Sequence, residues 1–238
     1  MSGDTALVIE FGEAIDRHIS ALVLALADRI DAANIDGIVE TVPTFRSLMV
    51  HYDPMRLPQA QLKSRLASLL EGLAPVQKPG RLWKIPACYD PSVGPDLAEV
   101  SERTGVPVDE VVALHTSVLF HVYMIGFLPG YGYLGDLPEK LALPRRQSPR
   151  VKVPPGSVAI AMTMSQVYAL ESPGGWHLIG RTPVPFWDLR REEPVLLRPG
   201  DKIQFYPVTL GEFEKLKAQA DAGTLPLDPA PVPAEANV

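Results

Sequence analysis

Proline is the feature that most constrains what this chain can fold into. The sequence holds 25 prolines in 238 residues, about twice the usual share of roughly 5%. Proline fixes φ and has no backbone N–H, so it ends helices and is poorly tolerated in central strands. We therefore expect many short elements joined by long ordered loops, and few long helices.

The charge balance and the apolar runs limit the classes of partner. The chain carries 28 acidic and 22 basic side chains, for a formal net charge of −6, which argues against nucleic acid or an anionic membrane. The longest apolar run, ISALVLALA at 19–27, is far shorter than the ~20 residues that span a bilayer. No basic region precedes an apolar run near the start, so no signal peptide is expected. The single cysteine, Cys88, excludes an internal disulfide and fits a reducing compartment, so we expect a cytoplasmic protein.

The first third of the chain has the pattern of a compact α/β unit. Apolar residues recur at helical spacing from Ile15 to Ile30 and from Leu62 to Leu73. Strand-like stretches cover 6–11, 37–43, 45–54 and 81–89. The order β-α-β-β-α-β predicts a ferredoxin-like fold that the strand at 81–89 closes, although the turn-rich segment 75–80 also suggests a domain boundary before that strand.

The rest of the chain has the texture of a β domain. Two short helices are expected to open near Asp96 and Pro107, and after residue 118 short strand candidates alternate with turn signals, which favours a barrel or a sandwich. A polar helix and a Pro/Ala-rich, loosely packed tail follow. The predicted class is α+β, with domains at 1–80, 81–210 and 211–238.

Common cofactor and metal motifs are missing from the sequence. It has no phosphate-binding P-loop and no strand–GxGxxG–helix unit. His115 and His121 are expected on different elements, and Cys88 has no neighbouring ligand. We therefore expect no metal site, and we interpret Cys88 as a small buried side chain.

Three loop segments combine glycine, aromatic and cationic residues. They are GFLPGYGYLGDL at 126–137, LPRRQSPRVKVPPGS at 143–157 and SPGGWHLIGRT at 172–182. Aromatic faces, backbone N–H groups and fixed cations suit a small planar or anionic ligand such as an amide, a carboxylate or a phosphate. The alternative is that the arginines form solvated surface pairs, which contribute little, and that the tyrosines cover one end of a barrel.

The same segments carry a resemblance to a known family. With IEFG at 9–12, GPDL at 94–97 and VPPGSVAIA at 153–161, they occur in the order seen in the KipI/PxpB family of 5-oxoprolinase components, also called allophanate hydrolase subunit 1 or a carboxyltransferase subdomain. The resemblance implies a small N-terminal α/β domain and a cyclophilin-like β-barrel. Two segments, Met164–Ala169 and Asp90-Pro91, depart from the family pattern by lacking its glycines.

The resemblance also implies an activity and its partners. With two partner proteins, one PxpC-like and homologous to this chain and one PxpA-like, the chain would open 5-oxo-L-proline to L-glutamate. ATP, with Mg²⁺, would be a substrate, and no tightly bound cofactor is implied.

The candidate site residues follow from the loops and the resemblance together. Three arginines, Arg145, Arg150 and Arg181, would bind anionic oxygen, and we expect their segments to converge on one concavity that a partner completes. The catalytic candidates are Arg150, Arg181 and His115; the binding candidates are Tyr131, Arg145, Gly156, Ser157, Gly174, Gly175, Trp176 and Thr182.

Two other functions stay open on the sequence alone. The chain also resembles KipI-type members of the family, which implies an alternative role as an inhibitor of a sensor histidine kinase. Others resemble the carboxyltransferase part of a urea carboxylase or an allophanate hydrolase-type enzyme.

Overall fold

The chain divides into two compact units, Met1–Pro79 and Gly80–Val238. The computed structural model describes residues 3–75 and 80–230. Each unit has its own buried apolar cluster. Most of the predicted turn-rich segment 75–80 lies outside the described residues.

The first unit is a three-stranded antiparallel sheet with two helices, as far as it is described. The strands are β1 (Ala6–Glu10), β2 (Ile38–Pro43) and β3 (Ser47–Tyr52), in the order β1-β3-β2, and the helices are α1 (Arg17–Ala33) and α2 (Gln59–Leu70). The Asp16 carboxylate accepts hydrogen bonds from the N–H groups of His18 and Ile19 and so caps α1. The helix ends at Asn34, which takes the left-handed conformation.

Alternation along β3 positions the core of this unit. Leu48, Val50 and Tyr52 are buried, and they join Leu26 of α1 and Leu62 of α2 in one cluster. Because successive side chains of a strand point to opposite faces, one face of the sheet is covered by both helices.

Segment 81–89 does not close the first unit, and that prediction is wrong. Strand β4 (Leu82–Cys88) pairs in parallel with β12 (Lys202–Val208) in the second unit, in register from Leu82 opposite Lys202 to Cys88 opposite Val208. β4 is buried at almost every position, so it needs cover on both faces, which an interior barrel strand receives. The described part of the first unit therefore lacks the fourth strand of a ferredoxin-like sheet.

Seven of the described strands close into a barrel, which confirms the expected barrel. Besides β4 and β12, they are β5 (Phe120–Ile125), β6 (Gly132–Gly135), β8 (Ser157–Ala161), β9 (Met164–Val167) and β11 (His177–Arg181). Their order around the barrel is β11-β4-β12-β5-β6-β9-β8. A separate two-stranded sheet pairs β7 (Arg150–Val153) with β10 (Ser172–Gly174).

Short helices accompany the barrel. α3 (Leu97–Thr104) and α4 (Val108–Ser117) follow β4, a 3-10 turn covers Glu139–Leu141, and α5 (Leu210–Asp221) follows β12. A reciprocal capping box between Thr209 and Glu212 starts α5. No described helix is long and apolar enough to cross a membrane.

The start of the C-terminal tail is packed, contrary to the expected loose tail. The Ala230 N–H donates to the Leu82 carbonyl at 2.7 Å, and the Leu82 N–H donates back at 3.3 Å. Leu225 and Leu227 pack against the barrel core. The apolar residues between the prolines explain this docking; residues 231–238 lie outside the described residues.

Candidate functional site

A pocket of about 300 Å³ lies between the barrel and the last turn of α5. Three of the predicted site residues, Gly156, Arg181 and Thr182, line it. The other lining residues are Pro155, Ala169, Leu170, Pro183, Val184, Pro185, Trp187, Arg190, Lys217, Ala220 and Asp221. The α5 pocket is therefore a concave site with apolar walls and a few polar groups, which is the usual composition of a small-molecule site.

Among the described residues, Arg181 is the pocket-lining cation that forms no ion pair with a carboxylate. It ends β11, and its Nε donates to the Pro155 carbonyl at 2.9 Å. Burial lowers its pKa, because a partly desolvated cation loses hydration. The terminal guanidinium nitrogens are the groups that could bind an anion.

Glycine is required at position 156 by its backbone and by its neighbours. Gly156 has φ +81, and a Cβ there would overlap the Thr182 carbonyl oxygen. The Thr182 N–H donates to the Gly156 carbonyl at 2.8 Å, and the Gly156 N–H donates to the Tyr168 carbonyl at 2.7 Å. This close approach of two chain segments places Arg181 and Thr182 on the wall of the pocket.

Ser157 follows Gly156 but contributes to the fold. It is buried, and its Oγ donates to the Pro154 carbonyl at 2.8 Å. Its own carbonyl accepts from the Tyr168 N–H at 3.0 Å. These bonds hold the turn that carries Gly156.

Arg145 and Trp176 belong to a second group, the aromatic cluster. It consists of Arg145, Trp176, Tyr131, Tyr133 and Tyr168. The Arg145 guanidinium carbon lies 5.7 Å from the Trp176 ring centroid, within range of a cation–π contact. Ring centroids are 6.5 Å apart for Tyr133 and Trp176, 5.3 Å for Tyr131 and Tyr133, and 5.4 Å for Tyr131 and Tyr168.

Sequence reasoning missed Gln166, which lies against this cluster. Its side chain is fully buried, and neither Oε1 nor Nε2 makes a hydrogen bond of good geometry; the same holds for the Tyr168 hydroxyl. Burial raises the pKa of Tyr131 and of Tyr168, while the neighbouring Gln166 amide lowers both pKa values by a smaller amount. The available signal was an amide beside a serine in the short strand MSQV.

Gly174 and Gly175 border the aromatic cluster, but only the first is sterically required there. A Cβ on Gly174 would overlap the Tyr168 hydroxyl, whereas one on Gly175 would meet ordinary contacts with Pro149 and Arg146. The Gly175 carbonyl accepts from the Arg146 N–H at 2.7 Å. The Gly-Gly pair thus lets the chain pass closely over a tyrosine.

Arg150 forms an ion pair inside the fold. Its NH2 atom lies 2.6 Å from the carboxylate of Asp96, which is buried at the start of α3. Arg146 binds the same carboxylate at 3.2 Å and Glu99 at 2.6 Å, and the Leu178 N–H donates to Asp96 at 2.7 Å. Arg150 therefore neutralises a buried carboxylate and does not line the α5 pocket.

His115 is a buried core residue of α4. Ser165 Oγ donates to the Ala159 carbonyl, so it accepts from His115 Nε2 at 2.9 Å, and His115 Nδ1 accepts from the Tyr89 hydroxyl at 2.8 Å. Burial lowers the pKa of His115 to about 3. The ring is therefore neutral near pH 7, and it ties α4 to β9.

The predicted residues thus divide into the α5 pocket, the aromatic cluster with its two bordering glycines, and three residues held inside the fold, which are Ser157, Arg150 and His115. The α5 pocket takes Gly156, Arg181 and Thr182, and the aromatic cluster lies with Tyr131, Arg145 and Trp176. Of the three arginines, Arg181 lines the α5 pocket, whereas Arg145 lies on Trp176 and Arg150 pairs with Asp96. Cys88 is buried, and burial raises its pKa.

Comparison with known protein families shows which family the chain belongs to. The family described as "Carboxyltransferase domain, subdomain C and D" matches residues 1–197. This chain belongs to that family. The match covers the first unit and most of the barrel, including the α5 pocket residue Arg181 on β11.

Two similar proteins support the same family membership. The chain is 35% identical over 233 residues to the B subunit of 5-oxoprolinase from Bacillus subtilis (strain 168), covering 92% of this chain and 96% of the relative. It is 38% identical over 208 residues to the B subunit of 5-oxoprolinase from Escherichia coli O157:H7, covering 86% and 93%.

A solved structure shows the same fold in a longer chain. The crystal structure of TTHA0988 superposes with a TM-score of 0.77 at 38% identity and covers 85% of this chain. The match spans 40% of the TTHA0988 chain. In that protein, the part similar to this chain is joined to a longer stretch of polypeptide.

Proposed function

We propose that this chain is the B subunit of an ATP-dependent 5-oxoprolinase, which opens 5-oxo-L-proline to L-glutamate together with a PxpA-like and a PxpC-like partner. The observation that carries the proposal is the alignment, at 35% identity, with a relative of that name over 96% of its length. A match over 92% of this chain and 96% of the relative supports the same role for this chain.

The chemistry requires cations and hydrogen-bond donors around a lactam. A lactam is a stable amide, and phosphorylation of its oxygen by ATP makes the ring carbon a better electrophile. Developing charge on the phosphoryl group and on the oxyanion then needs fixed cations and N–H or O–H donors. Arg181 and Thr182 of the α5 pocket are groups of these types.

The predicted residues take different roles in this proposal. Arg181, Thr182 and Gly156 form a ligand wall, and Arg145 on Trp176 presents a second cation. His115 and Arg150 are positioning residues, because each is held inside the fold by buried partners. The Mg²⁺ that accompanies ATP enters as part of that substrate.

A partner completes the active complex in this proposal. The 40% span within the TTHA0988 chain supports it, since a domain fused to further polypeptide in one protein often works beside a separate chain in another. The homologous PxpC-like protein and the PxpA-like protein would provide the remaining groups, including those that hold most of the ATP phosphates.

The finer features of the fold belong to the same proposal. The barrel would be cyclophilin-like, the functional division would follow residues 1–80, 81–210 and 211–238, and the complex would act in the cytoplasm. The barrel closure supports the first of these.

Co-expression with the products of neighbouring genes tests the proposal. The purified complex is supplied with 5-oxo-L-proline, and glutamate is measured with and without ATP. We expect ATP-dependent glutamate release only when all three proteins are present. A complete complex that makes no glutamate, beside an active Bacillus subtilis complex in the same assay, would contradict the proposal.

A carboxyltransferase role is the second candidate, favoured by the family description. It predicts urea-dependent carboxyl transfer from a biotinylated partner. Carboxyl transfer without 5-oxo-L-proline cleavage in the same complex would select this role.

A further inference from the structure

The charges around the α5 pocket leave one cation available. Arg190, Lys217 and Arg181 are the cationic side chains among its described lining residues. Arg190 forms an ion pair with Asp188 at 2.7 Å, and Lys217 forms one with Asp221 at 2.8 Å. Once Asp188, which lies outside the lining, and Asp221 are counted against Arg190 and Lys217, one positive charge is left, at Arg181.

The guanidinium of Arg181 is oriented for a forked contact. Its Nε is engaged by the Pro155 carbonyl at 2.9 Å, which fixes the plane of the group. The two terminal nitrogens carry parallel N–H donors, whose geometry matches the two oxygens of a carboxylate. Burial of the side chain makes an anionic partner more favourable than it is at an open surface.

The end of α5 that faces the pocket disfavours a highly charged anion. The lining takes Lys217, Ala220 and Asp221 from the last turn of the helix, where backbone carbonyls give a partial negative charge. Arg190 donates to the Ala220 and Asp221 carbonyls at 2.9 and 3.0 Å. Arg190 is therefore occupied by these carbonyls and by Asp188, so it does not serve as a second cation for the phosphates of a triphosphate.

The remaining walls of the α5 pocket suit a small ligand with few polar groups. Val184, Trp187 and the neighbouring prolines are apolar, and Thr182 brings one hydroxyl. Thr182 Oγ1 accepts from the Val184 N–H at 3.2 Å, and a hydroxyl that accepts one bond can still donate its own hydrogen. A volume of about 300 Å³ is at the small end of ligand pockets.

We propose that the α5 pocket binds a small organic monocarboxylate, whose carboxylate lies on Arg181 and whose body lies against Val184 and Trp187. The ATP phosphates bind elsewhere in the complex. That the occupant is 5-oxo-L-proline rests on the proposed function; that it is a monocarboxylate rests on the pocket alone.

Calorimetric titration of the full chain, without ATP or partners, tests the inference. The probes are 5-oxo-L-proline, its uncharged carboxamide, cyclopentanecarboxylate and inorganic pyrophosphate, each raised to millimolar concentration. We expect both carboxylates to bind, the carboxamide to bind more weakly, and pyrophosphate not to bind more tightly than the carboxylates. Arg181→Gln should weaken carboxylate binding roughly tenfold to a hundredfold, because it removes a charge-assisted pair.

Two further variants keep the result interpretable. Arg181→Lys retains the charge and loses the fork, so it should bind with intermediate affinity even if the glutamine variant fails to fold. Arg65→Gln removes an exposed arginine on α2 and should change nothing. Thermal unfolding of each variant is followed in parallel.

Each contrary result would overturn one named part of the proposal. No carboxylate binding, unchanged affinity in both Arg181 variants, or tighter binding of pyrophosphate through Arg181 would overturn the monocarboxylate site. Binding of cyclopentanecarboxylate without 5-oxo-L-proline would retain the site and overturn its lactam occupant. An inactive three-protein complex would count against the proposed function and leave these binding results as they are.

Discussion

Asp96 and Arg150 are joined by a 2.6 Å ion pair that ties the start of α3 to β7. The Asp96 carboxylate is 3% exposed, and Arg146 and the Leu178 N–H also bind it. One carboxylate therefore connects α3, the 143–157 loop and β11. This arrangement explains why a conspicuous arginine of that loop is a structural residue.

Asp96→Asn should destabilise the second unit. It leaves two partly buried guanidinium groups without their shared anion, and removal of one partner of a buried pair costs about 3 kcal/mol or more. Urea unfolding followed by tryptophan fluorescence measures this, since Trp83, Trp176 and Trp187 all lie in that unit. Glu171→Gln is the matched control, because its pair with Lys152 is exposed and should cost less than about 1 kcal/mol. Equal losses in the two variants would contradict the structural role of Asp96.

His115 should make the second unit less stable in acid. Its pKa in the folded protein is about 3, below the value of about 6.5 in an unfolded chain. The unfolded state therefore binds the proton first, and stability falls as the pH drops from about 6.5 toward 3, by up to about 1.4 kcal/mol per pH unit. His115→Gln should show a shallower loss of unfolding free energy in that range and a parallel curve above it. Parallel curves over the whole pH range would show that the pKa of His115 does not differ between the folded and the unfolded protein, which would contradict the prediction.

Gly156→Ala should distort the wall of the α5 pocket. A side chain there is strained at φ +81 and overlaps the Thr182 carbonyl, at a cost of about 1–3 kcal/mol. Gly211→Ala is the control: that glycine lies in the first turn of α5 with open space around it. The control should stabilise by up to about 1 kcal/mol. The two melting temperatures should move in opposite directions, and a neutral Gly156→Ala would show that the loop can relax.

Neighbouring glycines should respond differently at the aromatic cluster. Gly174→Ala places a methyl group on the Tyr168 hydroxyl, whereas Gly175→Ala meets contacts of 3.6–3.7 Å. We expect a lower melting temperature and an altered near-ultraviolet circular dichroism spectrum for the first variant only, since buried tyrosines must shift. The same response in both variants would place the constraint in the backbone and not in Tyr168.

Local patterns were sufficient for most of the elements. Helical spacing from Ile15 to Ile30 predicted α1, and a proline at 107 predicted the start of α4, as the structure confirms. Turn-separated short strands predicted a barrel or a sandwich, and the described strands close into a barrel. These features depend on neighbours a few residues apart, so the sequence contains the needed information.

Local patterns did not predict which strands pair when the strands are far apart in the sequence. An apolar strand at 82–88 is compatible with either sheet, and its partner β12 is over a hundred residues away. The apolar residues of the tail likewise gave no sign of the bridge from Ala230 to Leu82. Only the packed structure shows which buried surface each segment covers.

The sequence by itself determined most of the elements, a choice between barrel and sandwich, and the set of arginines, glycines and aromatics in its loops. Only the tertiary structure decided their use: Arg150 meets Asp96, Arg145 lies on Trp176, and Arg181 faces a pocket. The reason is physical. A guanidinium's role depends on whether folding brings a carboxylate within about 4 Å of it, and that distance is set by segments far apart in the chain.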